Sequence, residues 1–494
     1  MPLKTSTKQP DGKPQVGLFD PSLKNERKSM FKMVLICFSL ITVCAFTLLP
    51  VYFGAYYRQT ENTYRLTCLI LDLDSAASTL SNSPLSPSLT TGAYTAILGP
   101  LVTAGAQQYL TQVAPNDNST YWSLGYQFPS EETLSQFSLP LKDADGQIRY
   151  TPGVNASEWA MERVNNQDVW AVVIVNGNAT MDALNAVSNG GQQYDPSGAV
   201  TFIYTEARNF YAANQYIATQ VVSLLNSATQ QASRTHALTV LNQAAAGVDG
   251  GVNHLTTADP AALTYAFGYN EHNLQPEDQL AGEAATTAGA IYLIILTFLI
   301  SLVFKPTFEQ VRHKLSAGSE VAIKVLAPIT GYFWVSLHYS FVSMAFRVDF
   351  TRKYGHIGFF LYWMLNWVTM TSLGLVMEFM LEVLGLPFFP FFLLFWVIIN
   401  VSVAFLDLAA IDHWYSYGFI MPVWNNVDGT KSIMFATKNH LLQNFAVNLA
   451  WCVIAGLALI ILTLAQRARR SKRALVEEQE KNEGANEKKI RVFW

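Results

Sequence analysis

The chain has 494 residues, of which 50% are hydrophobic and only 14% are charged. Soluble proteins carry about 25% charged residues, so this composition excludes an ordinary soluble protein and indicates a chain that crosses a membrane several times. The net charge is −4 at pH 7, and no basic stripe with interleaved aromatic residues occurs, so we expect no nucleic-acid partner.

Six hydrophobic runs have the length of membrane-spanning helices. Each has about 19–26 residues, which at about 1.5 Å per residue is enough to cross about 30 Å of hydrocarbon. The runs are 33–55, 286–304, 325–346, 357–381, 387–408 and 441–466. They predict a polytopic α-helical membrane protein with one N-terminal span, a large domain and a C-terminal bundle of five spans.

The distribution of charge predicts that both ends of the chain are cytosolic. Residues 1–32 form a polar tail, predicted to be disordered, and residues 467–494 form a charged tail, predicted to be mobile. Both tails place lysine and arginine residues beside a span, and such positive flanks stay in the cytosol. The first run is too long for a cleaved signal peptide and is interpreted as a retained anchor. The connector 347–356 does not follow the rule that positive flanks stay in the cytosol, because its three basic residues would lie outside the cell. They are Arg347, Arg352 and Lys353.

The long segment 56–285 is therefore predicted to be an extracellular α/β domain. Runs of β-branched residues at 169–175 and 199–204 indicate strands. The stretch 206–246 lacks proline and glycine and indicates one long or broken helix.

Cysteine and asparagine residues refine the prediction for this domain. Cys68 is its one cysteine, so no disulfide forms within it, and a buried thiol is favoured over an intermolecular bridge. Asn-x-Ser/Thr acceptor sequences occur at Asn118, Asn155 and Asn178. They predict N-glycosylation, which agrees with an extracellular location.

The connector 409–440 joins the fifth and sixth spans and is aromatic and only partly polar. This composition is typical of a segment that lies at the membrane interface or re-enters the membrane. Pro422 excludes a single long helix there.

Four polar side chains are predicted to form a layer in the outer half of the membrane. Counting at about 1.5 Å per residue from the outer end of each span places them about 11–14 Å deep. Either they hydrogen-bond to one another and hold the bundle together, or they line a cavity for the polar part of an amphiphile. They are His338, Asn366, Asn400 and Asn448.

Glu378 is the clearest acidic residue within a predicted span. It lies near the cytosolic end of the fourth span, with Glu382 one helical turn later. Two interpretations stay open, since its side chain either reaches the interface or takes part in a proton relay.

The sequence contains no motif of a known catalytic, metal or cofactor site. Residues 429–432 resemble the end of a phosphate-binding loop but lack its other glycine and its Gly-Lys pair. His236, His254 and His272 are isolated and are predicted to be surface residues. We expect no enzyme activity, no cofactor and no metal, and a membrane-bound hydrolase is the least favoured alternative.

Several motifs in the C-terminal part resemble the fungal nitrosoguanidine-resistance family, which carries the DUF3533 domain. The motifs are PITGYF at 328–333, YWML at 362–365, NVSV at 400–403, YGFIMP at 417–422 and FATKN at 435–439. The family's layout is one span, a large outer domain and five further spans. The resemblance therefore implies a fold similar to the membrane part of ABC-2-type exporters, without a nucleotide-binding domain.

The resemblance also implies a function and a location. It implies resistance to toxic compounds through the export or transbilayer distribution of amphiphilic drugs or phospholipids, at the plasma membrane or, alternatively, at an endomembrane. The other hypothesis is a non-transporting scaffold or regulator of another transporter or flippase. The expected partners are membrane lipid, an amphiphilic drug or phospholipid, a second copy of the chain or another membrane transporter.

Overall fold

The computed structural model describes residues 21, 24–57, 59–81, 94–112, 122–142, 148–188, 194–246, 255 and 258–492. Within these residues, an α/β domain packs against one end of a bundle of long helices. That end of the bundle is called the domain end here, and the opposite end the distal end.

The first long helix, α1 (Lys24–Tyr56), begins earlier than the predicted span. The last residues of the N-terminal tail, predicted to be disordered, are therefore helical, while residues 1–20 lie outside the described residues. Along most of its length α1 exposes apolar side chains, as a helix in contact with lipid does.

The α/β domain is built around a mixed sheet. The strands of the domain are β1 (Thr67–Asp72), β2 (Gly125–Gln127), β3 (Pro140–Lys142), β4 (Ile148–Tyr150), β5 (Ala171–Val175), β6 (Val200–Tyr204) and β7 (Tyr269–Asn273). The main sheet has the order β2-β1-β5-β6-β7, in which β5 and β6 are antiparallel and the other neighbours are parallel. Strands β3 and β4 form a separate antiparallel pair. The two predicted strands correspond to β5 and β6.

Helices cover both faces of the main sheet. They are α2 (Leu73–Ser81), α3 (Leu98–Gln112), α4 (Glu131–Leu134), α5 (Ala156–Asn165), α6 (Ala179–Ser188), α7 (Phe210–Ala212), α8 (Thr219–Ala245) and α9 (Pro260–Thr264). A π-helical segment, Ala213–Ala218, joins α7 to α8, so the long helix predicted at 206–246 is broken near its start.

The hydrophobic core of the domain lies on both sides of the sheet. Every residue of β5 is fully buried, which is expected for a central strand covered on two faces. Cys68 and Val173 pack with α3 and α8, whereas Val172 and Ile174 pack with α5. Cys68 is a buried free thiol, in agreement with the favoured prediction.

The helical bundle follows the α/β domain in the chain. Its elements are α10 (Leu280–Thr286), α11 (Ala288–Val311), α12 (Ala317–Ala345), α13 (Thr351–Tyr354), α14 (Ile357–Leu384), α15 (Phe389–Ala404), α16 (Pro422–Met434) and α17 (Leu441–Val492). Five helices of the described chain are long and apolar enough to cross a membrane, namely α1, α11, α12, α14 and α17. The chain is therefore a membrane protein with several spans.

Two predicted elements differ from the structure. The fifth predicted span forms α15, which has only 16 residues. At about 1.5 Å per residue it measures about 24 Å, less than the usual hydrocarbon thickness of about 30 Å. The charged tail predicted to be mobile continues the last helix, because α17 extends to Val492.

The α/β domain is fixed to the bundle by polar contacts. Gln279 donates from Nε2 to the carbonyl oxygens of Asp349 and Met434, at 3.3 and 3.2 Å, and its Oε1 accepts from the amide of Asp349 at 2.7 Å. Arg352 binds both carboxylate oxygens of Asp278, at 2.8 and 2.9 Å. Two bases of the 347–356 connector therefore have structural roles beside the domain, since Lys353 also donates to the Ser432 hydroxyl at 3.3 Å.

Candidate functional site

Helix α16 lies inside the bundle, although its sequence is too polar for a membrane span. Ten of its 13 residues are buried. Pro422 occupies its first turn, where the missing amide hydrogen of proline has no cost. The connector 409–440 therefore contributes a buried helix to the bundle, while its predicted position at the interface or within the membrane stays a prediction.

Asn366 lies where α16 meets α12 and α14. Asn426 of α16 donates from Nδ2 to Asn366 Oδ1 at 3.0 Å and lies 3.2 Å from the Thr369 hydroxyl. Asn366 donates from its own Nδ2 to the Ser340 hydroxyl at 3.2 Å. These four side chains are fully or almost fully buried, so the hydrogen bonds connect three helices inside the bundle.

Asn400 and Asn448 are also fully buried, but they bind other partners. Asn400 Oδ1 accepts from the amide of Val423, in the first turn of α16, at 3.3 Å. Asn448 Oδ1 accepts from the Ser372 hydroxyl at 2.9 Å. The predicted asparagines thus do not bond to one another, and each one connects a long helix to α16 or to α14.

His338 does not belong to this layer. Its side chain is exposed on α12, and its Nδ1 lies 2.8 Å from the carbonyl oxygen of Trp334, one turn earlier on the same helix. Ser336 and Ser340, two residues away on either side, face the interior and are fully buried. Two residues correspond to about 200° of rotation around a helix, so His338 must face away from the bundle.

Asp428 connects α16 to the start of α17. Its Oδ2 accepts from Asn444 Nδ2 at 3.1 Å and lies 3.2 Å from His440 Nδ1. Among the described residues, three buried acceptors near these contacts have no partner, namely Asn425 Oδ1, Thr430 Oγ1 and Asn444 Oδ1. We define the polar layer as Asn366, Thr369, Ser372, Asn400, Asn426, Asn444 and Asn448.

The polar layer consists of several separate hydrogen-bonded contacts between closely packed helices. Its members approach closely, because a Cβ on Gly429 of α16 would lie 2.7 Å from a methyl of Leu365 and 3.1 Å from Asn444 Nδ2. A larger residue at this position, which resembles part of a phosphate-binding loop, would therefore require the Leu365 side chain to move. The contacts connect helices without joining the predicted side chains to one another, so both interpretations of the layer stay predictions.

Glu378 lies on α14 in the distal half of the bundle and does not reach the surface. Its side chain is fully buried, and neither carboxylate oxygen has a hydrogen-bond partner among the described residues. Glu382, one turn later, binds Lys305 of α11 at 3.0 Å and also binds Lys324 of α12. The expectation that Glu378 reaches the interface is therefore wrong, and it is Glu382 that meets the charged groups.

An apolar groove opens sideways between α11 and α12, with a volume of about 490 Å³. It is lined by Leu296, Leu299, Ile300, Val303, Phe304, Thr307 and Val335. Shortly after the last of the α11 lining residues, the chain carries Arg312, His313 and Lys314. The groove therefore combines an apolar wall with basic residues beyond its distal end.

Comparison with known proteins identifies the family. The family model described as a protein of unknown function, DUF3533, matches residues 37–457. The chain belongs to the DUF3533 family. The matched range includes the polar layer, Glu378 and the groove. The chain is also similar to an uncharacterized endoplasmic reticulum membrane protein of Saccharomyces cerevisiae, with 21% identity over 453 residues, covering 87% of this chain and 79% of the yeast protein. No solved structure was found to match.

The predicted glycosylation sites of this DUF3533 chain differ in accessibility. Asn155 is exposed at the start of α5, where its Oδ1 accepts from the amides of Ser157 and Glu158. Asn178 is half-buried, and its Nδ2 donates to Asp182. Asn118 lies outside the described residues.

The α/β domain also contains buried ionisable groups that the sequence did not indicate. Asp74 is fully buried and accepts from the Thr180 amide at 3.1 Å and its hydroxyl at 2.6 Å, and burial raises the pKa of Asp74 to about 6. His236, predicted to be a surface residue, is fully buried against Phe267, and burial lowers its pKa to about 4. His272 is exposed as predicted, and His254 lies outside the described residues. Within the described residues, no group of acidic, histidine or cysteine side chains has the arrangement of a metal site.

Sequence reasoning missed the polar partners of the predicted site residues. The sequence places Asn426 in a connector, and Lys305 and Lys324 in a loop, because their segments are less hydrophobic than a typical span. The sequence does contain a signal for α16. Pro422 is followed by 12 residues without proline, and proline at the first position is typical of a helix start.

Proposed function

We propose that the protein acts in the export or transbilayer distribution of amphiphilic compounds, either drugs or phospholipids. The observation that carries the proposal is the apolar groove between α11 and α12. Its volume of about 490 Å³ is within the range of about 300–1,000 Å³ that is typical of small-molecule sites. Both helices are candidate spans, so an acyl chain or an apolar drug can enter the groove directly from the hydrocarbon.

The basic residues beyond the groove support an amphiphilic ligand. Arg312 and Lys314 follow the groove at the distal end of α11. Basic groups beside the hydrocarbon attract anionic lipid headgroups by about 1 kcal/mol each. A molecule with an apolar tail in the groove and an anionic headgroup near these residues would therefore be favoured.

A substitution that fills the groove tests the proposal. Val335 lines the groove from α12, whereas Val342 lies two turns later on the same helix and is 57% exposed. The purified protein and the variants Val335→Trp and Val342→Trp would be reconstituted separately, and the movement of a fluorescent phospholipid between leaflets would be followed. We expect Val335→Trp to slow this movement and Val342→Trp to leave it unchanged. Equal rates in all three preparations, or no movement above that of empty vesicles, would contradict the proposal.

The second candidate function is that of a non-transporting regulator or scaffold of another membrane protein. It is favoured by the exposed aromatic stripe on α1. Phe31, Phe38, Phe46 and Phe53 recur every seven or eight residues and are 64–80% exposed. Such a stripe has the spacing with which one helix packs against another.

The two functions predict different results for the isolated protein. A regulator is expected to co-purify in mild detergent with a defined membrane transporter and to lose it in a Phe38→Ala, Phe46→Ala variant. A transporter is expected to move lipid when it is reconstituted alone. Lipid movement by the pure protein, unchanged in the Phe38→Ala, Phe46→Ala variant, would exclude the regulator as the main function.

A further inference from the structure

A second polar site lies in the distal half of the bundle, separate from the polar layer. It contains Glu378 of α14, Ser301 of α11 and Tyr332 of α12, and all three side chains are fully buried. Ser301 lies beside both Glu378 and Tyr332. Among the described residues, neither the carboxylate oxygens nor the two hydroxyl groups make a hydrogen bond of normal distance and angle, although Ser301 is close enough to interact with both Glu378 and Tyr332. Three helices thus place unpaired polar atoms at one point inside a membrane-spanning bundle.

The close packing of α12 on α14 fixes the position of Tyr332. A Cβ on Gly374, one turn before Glu378, would lie 2.2 Å from Cζ of Tyr332 and 2.4 Å from its hydroxyl oxygen. The tyrosine ring therefore rests directly on the backbone of α14. This contact holds the phenol next to the glutamate.

The charges around Glu378 do not balance without it. Lys305 from α11 and Lys324 from α12 both bind Glu382, which is one turn later on α14. Two ammonium groups and one carboxylate leave a net charge of +1. Gln466 of α17 donates from Nε2 to the backbone carbonyl oxygen of Glu382. Arg467 and Arg470 of the same helix bind Glu320.

Two opposing effects act on a proton at Glu378. Burial without hydrogen bonds favours the neutral acid, because an unpaired carboxylate loses its hydration. The excess positive charge of Lys305 and Lys324 favours the carboxylate, because ionised Glu378 would make the cluster neutral. Since neither effect acts alone, the group can both bind and release a proton.

We propose that Glu378, with Ser301 and Tyr332, forms a reversible proton-binding site. As a neutral acid, Glu378 donates its proton to one of the two hydroxyl oxygens. As a carboxylate, it accepts from both hydroxyl groups and is attracted toward Lys324 and Lys305. Proton uptake and release therefore change the contacts among α11, α12 and α14. In a step that rests on the proposed function, this proton would drive amphiphile movement through the two helices that form the groove.

Infrared difference spectroscopy on the purified full-length protein tests the site directly. Spectra recorded over a series of pH values are expected to show a band of a protonated carboxylic acid that titrates. The band should be absent in Glu378→Gln and present in Glu309→Gln, since Glu309 is an acid near the exposed end of α11. A pH-independent spectrum, or a band that persists in Glu378→Gln, would overturn the proposal.

A second variant keeps the test valid if Glu378→Gln fails to fold. Tyr332→Phe removes one hydroxyl partner of the carboxyl group and keeps Glu378, so the midpoint of the band should change. An unchanged midpoint would mean that Tyr332 is not part of the site. Sodium chloride in place of potassium chloride should not move the midpoint, and a sodium-dependent shift would assign the site to a metal cation instead.

Reconstitution separates this inference from the proposed function. We expect a proton gradient to change the rate of lipid movement for the parent protein and not for Glu378→Gln. A titrating band without any lipid movement would retain the proton site and contradict the proposed function. Lipid movement that is independent of the gradient would retain the function and refute the coupling.

Discussion

Asn366 accepts a hydrogen bond from Asn426 at 3.0 Å, and this contact joins the middle of α14 to a short helix that never crosses the bundle. Both side chains are 0–1% exposed. In an apolar interior an amide without a partner is costly, so each asparagine depends on the other for its position. The contact explains how a polar segment such as α16 is held among membrane-spanning helices.

Asn426→Ala is expected to destabilise the bundle by about 1–2 kcal/mol, because it leaves Asn366 Oδ1 without a donor. Thermal unfolding in detergent would measure the loss. His338→Ala is the control, since His338 is exposed and bonds only within its own helix, and we expect no change. If both variants unfolded at the same temperature as the parent protein, the contact would have no structural role.

Hydrophobicity was sufficient to predict where long helices occur, but not which side of a helix faces the bundle. Asn366, Asn400 and Asn448 were found by depth alone, and all three are buried. His338 has a similar depth and is exposed. The small residues Ser336 and Ser340 mark the packed face of α12, and their spacing was visible in the sequence.

The ends and partners of helices were harder to predict, because tertiary contacts decide them. The hydrophobic run 387–408 continues beyond α15, but Asp407 accepts from the amide of Ala409 and begins a turn. Lys305 and Lys324 fall at the edges of hydrophobic runs, so the sequence predicts that they are loop residues. They lie inside the bundle because Glu382 offers a shared carboxylate.

Gly374→Ala is expected to separate α12 from α14 and to destabilise the protein by about 1–3 kcal/mol, because its Cβ would overlap the buried ring of Tyr332. Gly456→Ala on α17 is a matched control, since its Cβ would meet only a methyl of Leu375 at 3.9 Å. Alanine is the better helix former, so Gly456→Ala should be neutral or slightly stabilising. Equal unfolding temperatures for the two variants would contradict this account of the packing.

Gln279→Ala is expected to loosen the α/β domain from the bundle, because it removes three hydrogen bonds to the backbone of Asp349 and Met434. Two of these bonds are exposed to solvent and one is partly buried, so each contributes at most about 1 kcal/mol. Hydrogen exchange should become faster in residues 347–350 and 434–436. Gln230→Ala, at an exposed position of α8, should leave exchange in these segments unchanged. If these segments exchanged at the same rate in the parent protein and in Gln279→Ala, other contacts would hold the domain to the bundle.

His236 predicts acid sensitivity of the α/β domain. Its pKa is lowered from 6.5 to about 4 by burial, so the folded state favours the neutral ring. The stability that this provides is present above about pH 6.5 and is lost as the pH falls toward 4, by about 3 kcal/mol in total. His236→Phe should reduce the loss over this range, whereas His272→Phe, at an exposed position, should not. An unchanged pH profile in His236→Phe would contradict the assignment.

Asn155 offers the most direct test of the predicted orientation. Asn155 is exposed at the start of α5. In contrast, Nδ2 of Asn178 donates to Asp182, and Thr180, the third residue of the Asn178 acceptor sequence, is fully buried. If the α/β domain faces the lumen or the cell exterior, Asn155 can carry a glycan without disturbing the fold.

Ser157→Ala removes the acceptor sequence of Asn155 while leaving the Asn155 side chain at the helix start. Endoglycosidase treatment of the parent protein should reduce its apparent mass, and Ser157→Ala should reduce that shift by one glycan. Asn178→Gln should leave it unchanged, because the Asn178 side chain is half-buried and its nitrogen is bonded to Asp182. A protein that shows no shift in any of these forms would contradict the predicted glycosylation and remove its support for the orientation.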